Sequence, residues 1–383
     1  MWRFSGFLIF TFAFSLFNIR IAIEDNENKY SSQPIDPPFY NADSVWVDSV
    51  FNSLDADERI AQLLMVQAYS DRTIDHEKYI TDLILDYKIG GLIFMQGSPY
   101  RQVTLINKYQ SISKVPLLIS MDAEWSVSMR LDSTVLYPRQ MMLGAIQNDR
   151  LIYEMGIEFA RQLKRVGVHV NFAPVCDVNN NPDNPVINER SFGEDKFNVA
   201  QKSYQYMKGM QDNGVLATGK HFPGHGDTDI DSHISLPVIN HDFERLDSIE
   251  LFPFRYLIKK GISGIMVGHL YVPAIDKSIN TPATLSPKAV TKLLKQEMAF
   301  KGLIFTDALN MGGITNYFKP GESDVKALLA GNDILLFPND VQLVINDIKS
   351  AIAEGLITQE EIDLRCKKVL MAKYWAGLND FHP

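Results

Sequence analysis

VLATGKHFPGHGDTDIDSHISLP, residues 215–237, runs from a short apolar segment straight into a loop crowded with ionisable groups. Lys220, His221, His225, Asp227, Asp229, Asp231 and His233 fall within fourteen residues, far more charge than an ordinary surface loop needs. Gly219, Gly224 and Gly226 open backbone angles closed to other residues, and Pro223 ends any strand that enters, so the stretch reads as a buried strand feeding a functional loop. Within the loop, Asp231 and His233 are two residues apart, which lets the carboxylate reach Nδ1 of the imidazole and leaves Nε2 facing outward. A carboxylate partner fixes the tautomer and favours the protonated ring, so His233 can give a proton to a leaving group and take one back from water near neutral pH.

Working outward, the same pattern of a short apolar run followed by an amphipathic stretch recurs along the chain. The runs cover residues 63–67, 91–95, 117–121, 168–174, 215–220, 264–268, 303–307 and 333–337, eight in all. Segments with helical period separate them, among them residues 150–166, 198–212 and 245–260, each long enough to cross back over a parallel strand. Ser286 before Pro287 reads as a helix start, Thr358 with Glu361 as a capping box stapled by Ile357 and Ile362, and Gly377 as the stop of the last helix. Continuous apolar strands are those buried on both faces, as in a parallel sheet. The expected fold is therefore α/β, a (β/α)₈ TIM-type barrel forming one catalytic domain over residues 44–383, with a doubly wound open sheet as the alternative.

The polar residues at the run ends agree with a barrel, whose chemistry gathers at the strand C-termini. Asp122 and Glu124 follow the third run, Asp177 the fourth, Lys220 and His221 end the fifth, His269 the sixth and Asp307 the seventh. Glu124 and Asp177 are the members expected only to hold loops together. Asp307 follows Gly302-Leu303-Ile304-Phe305-Thr306 and precedes a sharp turn, which aims a short carboxylate into the barrel mouth unless it merely caps the next helix. Arg130 and Arg190 are candidate positioners, since a guanidinium fork can grip hydroxyl or carboxylate oxygens, or else pair with acids on the rim.

The 383 residues are 46% hydrophobic and 22% charged, a globular composition, and the net charge of −9 with scattered Lys and Arg argues against a nucleic-acid partner. Residues 1–23, with Arg3 ahead of a Phe-rich apolar run, read as a signal peptide or an uncleaved membrane anchor, which predicts export to the periplasm or the outside and no other contact with membrane. Residues 24–43, polar and containing Pro34, Pro37 and Pro38, read as a tether. Cys176 and Cys366 are expected as packed core residues on strand and helix interiors.

Three blocks, GKHFPGHGDTDIDSHISLP, VNFAPVCDVNNNPDNPVINERSFGED and GLIFTDALNMGGI, resemble the signatures of glycoside hydrolase family 3 in its β-N-acetylglucosaminidase (NagZ-like) branch. The resemblance implies a retaining, exo-acting enzyme that removes terminal β-linked N-acetylglucosamine from peptidoglycan-derived or other glycans and needs no cofactor. It makes Asp307 the nucleophile of a covalent glycosyl-enzyme, His233 the acid/base and Asp231 its partner. Asp122, Arg130, Arg190, Lys220 and His221 match positions that hold sugar hydroxyls. A histidine acid also leaves one fewer negative charge beside the nucleophile than the usual carboxylate pair. The sequence departs from the pattern at DAEWSVSMR, where Trp125-Ser126-Val127 stands in place of Gly-Gly-Arg. A rim arginine is lost and an aromatic stands there, either to stack on a sugar or to fill the loop core.

Other readings use the same residues. Phosphate in place of water as acceptor, or a glucoside in place of the acetamido sugar, would leave the mechanism intact. A metal-dependent amidohydrolase would draw ligands from His221, His225, Asp227 or His233, and a glycan-binding protein would have no need of Asp231, His233 and Asp307 together.

Overall fold

A computed structural model of the chain describes residues 34–42 and 45–380. The expected leader and most of the expected tether lie outside the described residues.

Eight parallel strands form the frame: β1 Leu64–Ala68, β2 Gly91–Phe94, β3 Leu118–Met121, β4 Val170–Asn171, β5 Leu216–Phe222, β6 Gly264–Val267, β7 Leu303–Thr306 and β8 Leu335–Leu336. Each falls within or beside one of the eight apolar runs. They pair in chain order from β1 to β7, and β1 also pairs with β8. A parallel bridge between Phe305 and Ile334 closes the ring between β7 and β8. The open-sheet alternative fails on that bridge, and the fold is a (β/α)₈ barrel. The strand residues are almost all buried because barrel filling takes one face and the helical ring the other. Inside, Phe172 and Phe305 meet edge to face with centroids 5.1 Å apart. Each such side chain taken from water contributes about 1.5–3 kcal/mol.

Helices fall where the periodicity puts them at Asp149–Arg165 and Lys196–Gln211, and Thr358 forms its capping box with Glu361 at the start of Gln359–Trp375. Residues 245–260 depart from expectation, dividing into Phe243–Ser248 and Leu251–Lys259. Pro253 explains the break: it has no N–H for the Ile249 carbonyl, and its ring crowds that carbonyl. Residues after Pro287 also differ, since Lys288–Glu297 is wound as a π-helix, although the Ser286 hydroxyl still accepts the Ala289 N–H at 3.3 Å. Both cysteines are buried, Cys366 within its helix and Cys176 just past β4 instead of inside a strand.

The last helix, Gln359–Trp375, packs with the helix Val45–Asn52 around Val47, Phe51, Leu54, Cys366 and Leu370, a small core at the barrel's N-terminal end. Residues 34–42 lie against the barrel wall, with Phe39 fully buried and Asp36 paired to Lys301 at 2.8 Å. The opposite, C-terminal end is left open. Among the described residues, no helix is long and apolar enough to cross a membrane.

Candidate active site

The open end holds a cavity of about 480 Å³, large enough for a sugar and part of its neighbour. Its floor is a chain of alternating charges set by the ends of β3 and β5. Lys220 Nζ lies 2.7 Å from Asp122 Oδ1 and 2.8 Å from Glu124 Oε1. Arg130 Nη2 donates to Asp122 Oδ2 at 2.7 Å, and Arg190 grips Glu124 with Nε and Nη2 at 2.9 and 2.8 Å. Burial works against both carboxylates, but the cations outweigh it, holding Asp122 down at about 2 and Glu124 well below its usual range. The order Arg130, Asp122, Lys220, Glu124, Arg190 thus presents fixed, fully charged groups, while Lys220 still has a third N–H to give.

One carboxylate folds the β5 loop. Asp177, fully buried, accepts the backbone N–H of His221 at 3.1 Å and of His225 at 2.7 Å, and its other oxygen lies 2.8 Å from His221 Nδ1. Its role as a loop holder is therefore met. That bond fixes His221 Nδ1 as the donor and leaves Nε2 for Arg190 Nη2, 3.4 Å away. His225 is spent on the loop itself, with Nδ1 2.7 Å from Thr228 Oγ1 and Nε2 3.0 Å from Ser232 Oγ. Burial, with His221 nearby, pushes its pKa down to about 4, so it stays a neutral strut at neutral pH.

Asp231 closes a turn in which its Oδ1 accepts the backbone N–H of His233 and meets His233 Nδ1, both at 2.8 Å. The turn docks on the loop that follows Asp307. Gly312 and Gly313 donate their N–H groups to His233 O at 3.0 Å and Ser232 O at 3.1 Å. A Cβ on Gly312 would sit 2.5 Å from Ile234 O, so the approach requires glycine. Asp307 itself follows β7, anchored by its N–H on Val267 O at 3.0 Å, and its Oδ1 accepts the Ala308 N–H at 2.8 Å. It caps no helix, since the next one starts at Gly312 with Met311 before it. Burial raises its pKa, but His269, His221 and the Ala308 N–H prevail and keep the carboxyl below the ordinary value. The mouth thus offers an ionised carboxylate on the floor and an Asp-oriented imidazole, 62% exposed, on its solvent side.

The structure brings the residues singled out from sequence together: Asp307, His233, Asp122, Arg130, Arg190, Lys220 and His221 all line the cavity, and Asp231 stands behind His233. Among the described residues, no three His, Cys, Asp or Glu side chains converge where a metal could be held. Sequence reasoning undervalued Glu124, which lines the cavity and fixes Arg190, and missed Gln67 near the end of β1 and Tyr69 just beyond it. Their place at the end of the first run was the available signal. It also gave no sign of Arg139, whose Cζ lies 3.9 Å over the Trp125 ring and returns a guanidinium to the rim.

A (β/α)₈ barrel with a partly buried, ionised carboxylate after β7 and an Asp–His turn after β5 belongs to the class of barrels whose mouth can supply acid/base and nucleophilic groups. The chain belongs to glycoside hydrolase family 3: residues 55–372 match the family described as "Glycosyl hydrolase family 3 N terminal domain". It is 36% identical over 282 residues to beta-hexosaminidase A of Pseudoalteromonas piscicida, covering 68% of this chain and 47% of that protein. A beta-hexosaminidase of Idiomarina loihiensis is 31% identical over 84% of this chain and 96% of its own length. Among solved structures, a family 3 β-N-acetylglucosaminidase from Paenibacillus sp. str. FPU-7 superposes with TM-score 0.80 at 35% identity, over 86% of this chain and 64% of that one. The chain therefore spans about half of the first relative and nearly all of the second.

Proposed function

We propose that this protein is a retaining, exo-acting β-N-acetylglucosaminidase that removes terminal β-linked N-acetylglucosamine through a covalent glycosyl-Asp307 intermediate. The observation that carries the reading is the docking of the Asp231–His233 turn onto the loop that follows Asp307, which ties a proton donor to a nucleophile by backbone hydrogen bonds. Asp307 attacks the anomeric carbon while His233, oriented through Nδ1 by Asp231, protonates the departing oxygen from Nε2. His233 then takes a proton from water, which displaces Asp307 with net retention. Asp122, Arg130, Lys220, Arg190 and His221 hold the hydroxyls of the sugar, a burial that makes cleavage exo-acting because the floor admits only a chain end. The names of the relatives support the acetamido sugar, and residues 1–23 support export toward peptidoglycan-derived or other extracytoplasmic glycans.

The test is hydrolysis of an aryl β-N-acetylglucosaminide beside an aryl β-glucoside, with products followed in phosphate and phosphate-free buffers. The acetamido sugar should react preferentially and release free N-acetylglucosamine in both. Preference for the glucoside, or a sugar phosphate as product, would replace the substrate or the acceptor in this scheme. His233→Ala should slow substrates with poor leaving groups by roughly 10²–10⁴-fold and activated aryl glycosides far less. Equal losses on both would remove His233 from the acid role.

A further inference from the structure

Trp125 stands in the cavity wall where the family pattern has glycine, and its surroundings hold it as a prepared surface. The next residue, Ser126, sits at φ 81°, a left-handed conformation that costs a non-glycine residue about 1–3 kcal/mol. Its hydroxyl holds the turn by accepting the Ser128 N–H at 3.2 Å and donating to Val135 O at 3.1 Å. The Ser128 hydroxyl in turn donates to Trp125 O at 3.1 Å, so the backbone leaving the indole is pinned by the turn that follows it. Arg139 covers one face of the ring at 3.9 Å and pairs with Glu189 at 3.1 Å. Its neighbour Gln140, fully buried, donates to Arg190 O at 2.7 Å and Val175 O at 3.2 Å, fastening this cover to the loop that carries Arg190.

With one face taken by the guanidinium, what Trp125 offers the cavity is its other face or its edge. The stack sits at the rim, since Arg139 and Glu189 are 43% and 60% exposed, whereas the neighbouring Glu124 is buried among the floor cations. The floor takes the sugar being removed, so whatever meets the rim lies beyond the scissile bond. We propose that Trp125, backed by Arg139, is the platform for a pyranose ring on the leaving-group side and sets a preference for saccharide over small leaving groups. The proposal rests on the hydrolase reading above. An indole held in place before binding loses little entropy when a sugar face settles on it, and this is how such a surface gains selectivity.

The experiment compares kcat/KM for an N-acetylglucosamine disaccharide and for N-acetylglucosaminyl fluoride, whose leaving group reaches no platform. Trp125→Ala should lower the disaccharide value roughly three- to tenfold and leave the fluoride within about twofold. Trp125→Tyr should restore most of the loss, and Arg139→Ala should give a smaller loss of the same kind. An equal fall on both substrates, with an unchanged melting temperature, would assign Trp125 to the sugar being removed. No change on either would reduce it to loop filling, and each result overturns the platform. Wild-type protein inert on both substrates would bring down the hydrolase reading, and this one with it, whereas an active wild type with an unchanged substrate ratio in the variants sinks this proposal alone.

Discussion

The two ends of this barrel bury charge in opposite ways. At the mouth, Asp122, Glu124, Lys220, Arg130 and Arg190 pair with one another while lining an open cavity, so their remaining hydrogen-bonding capacity faces that cavity. At the far end, Asp333 precedes β8 and is enclosed by the protein, with Oδ2 taking two hydrogen bonds and Oδ1 facing Lys295. It accepts the Ile304 N–H at 2.9 Å and Lys368 Nζ at 2.7 Å, with Lys295 Nζ 3.7 Å away. Lys368 lies on Gln359–Trp375, the helix that covers that end. The mouth therefore keeps charge for chemistry, and the far end uses it to fasten the lid of the fold.

The comparison predicts that the two ends fail differently. Asp307→Ala should reduce kcat/KM by roughly 10⁴-fold or more with little change in melting temperature, because on the proposed mechanism it removes the reacting group and not a packed support. Asp333→Asn should do the reverse, lowering stability by about 3 kcal/mol while kcat of the folded enzyme is kept, since Lys368 and Lys295 lose their buried partner. Melting curves and kinetics on the same samples check both, and a large loss of kcat in the Asp333 variant would erase the distinction.

Glu124→Gln sharpens it, because this residue belongs to both categories. Glutamine can still accept from Lys220 and Arg190 Nη2 through one oxygen, but its NH₂ would face the Nε–H donor of Arg190. The expected outcome is a roughly 10- to 100-fold fall in kcat/KM, as the arginine loses its fixed position, together with a drop in stability. Acid should act on the same cluster. The folded pKa of Asp122, about 2, is below that of the unfolded chain, where an aspartate titrates near 3.9, so the unfolded state binds more protons between them. The stabilisation is complete above about pH 4 and lost as pH falls toward 2, visible as a steep decline in melting temperature over that interval.

Much of this contrast could be read in the chain, and the unread parts share a cause. The strands were legible because barrel strands are buried on both faces, and Asp122, Lys220 and Asp307 because each ends or directly follows an apolar run. Local sequence also announced the Asp231–His233 pair. It could not announce Arg139 over Trp125, which depends on how the long loop after β3 folds back on itself, or Glu124 between Arg190 and Lys220, which meet only when the loops after β3 and β4 come together with the end of β5, and neither leaves a periodic trace. The π-wound segment Lys288–Glu297 escaped for a related reason: its apolar residues satisfy a helical stripe whichever way the backbone winds. Pro253 was visible, but its effect depends on where the turn begins, which residues 245–260 do not reveal by composition.

The effect with the least consequence for turnover tests the far end once more. Lys373, fully buried on the covering helix, has one hydrogen bond, from Nζ to Gln62 Oε1 at 2.6 Å, and burial pushes its pKa down to about 7. An unfolded lysine titrates near 10.4, so between about pH 7 and 10.4 the unfolded state holds a proton that the folded state has shed. Stability then rises with pH across that window, by at most about 1.4 kcal/mol per unit, where a buried and well-paired cation would show no such rise. Lys373→Met keeps the length of the side chain while removing the amine. It should flatten that rise, modestly raise the melting temperature at pH 7 and leave kcat untouched, as measured by melting curves from pH 6 to 10 beside kinetics at pH 7. If the variant is instead less stable at every pH, the amine and Gln62 form a true fastening like that of Asp333, and the far end would hold two locks where the contrast now assigns one.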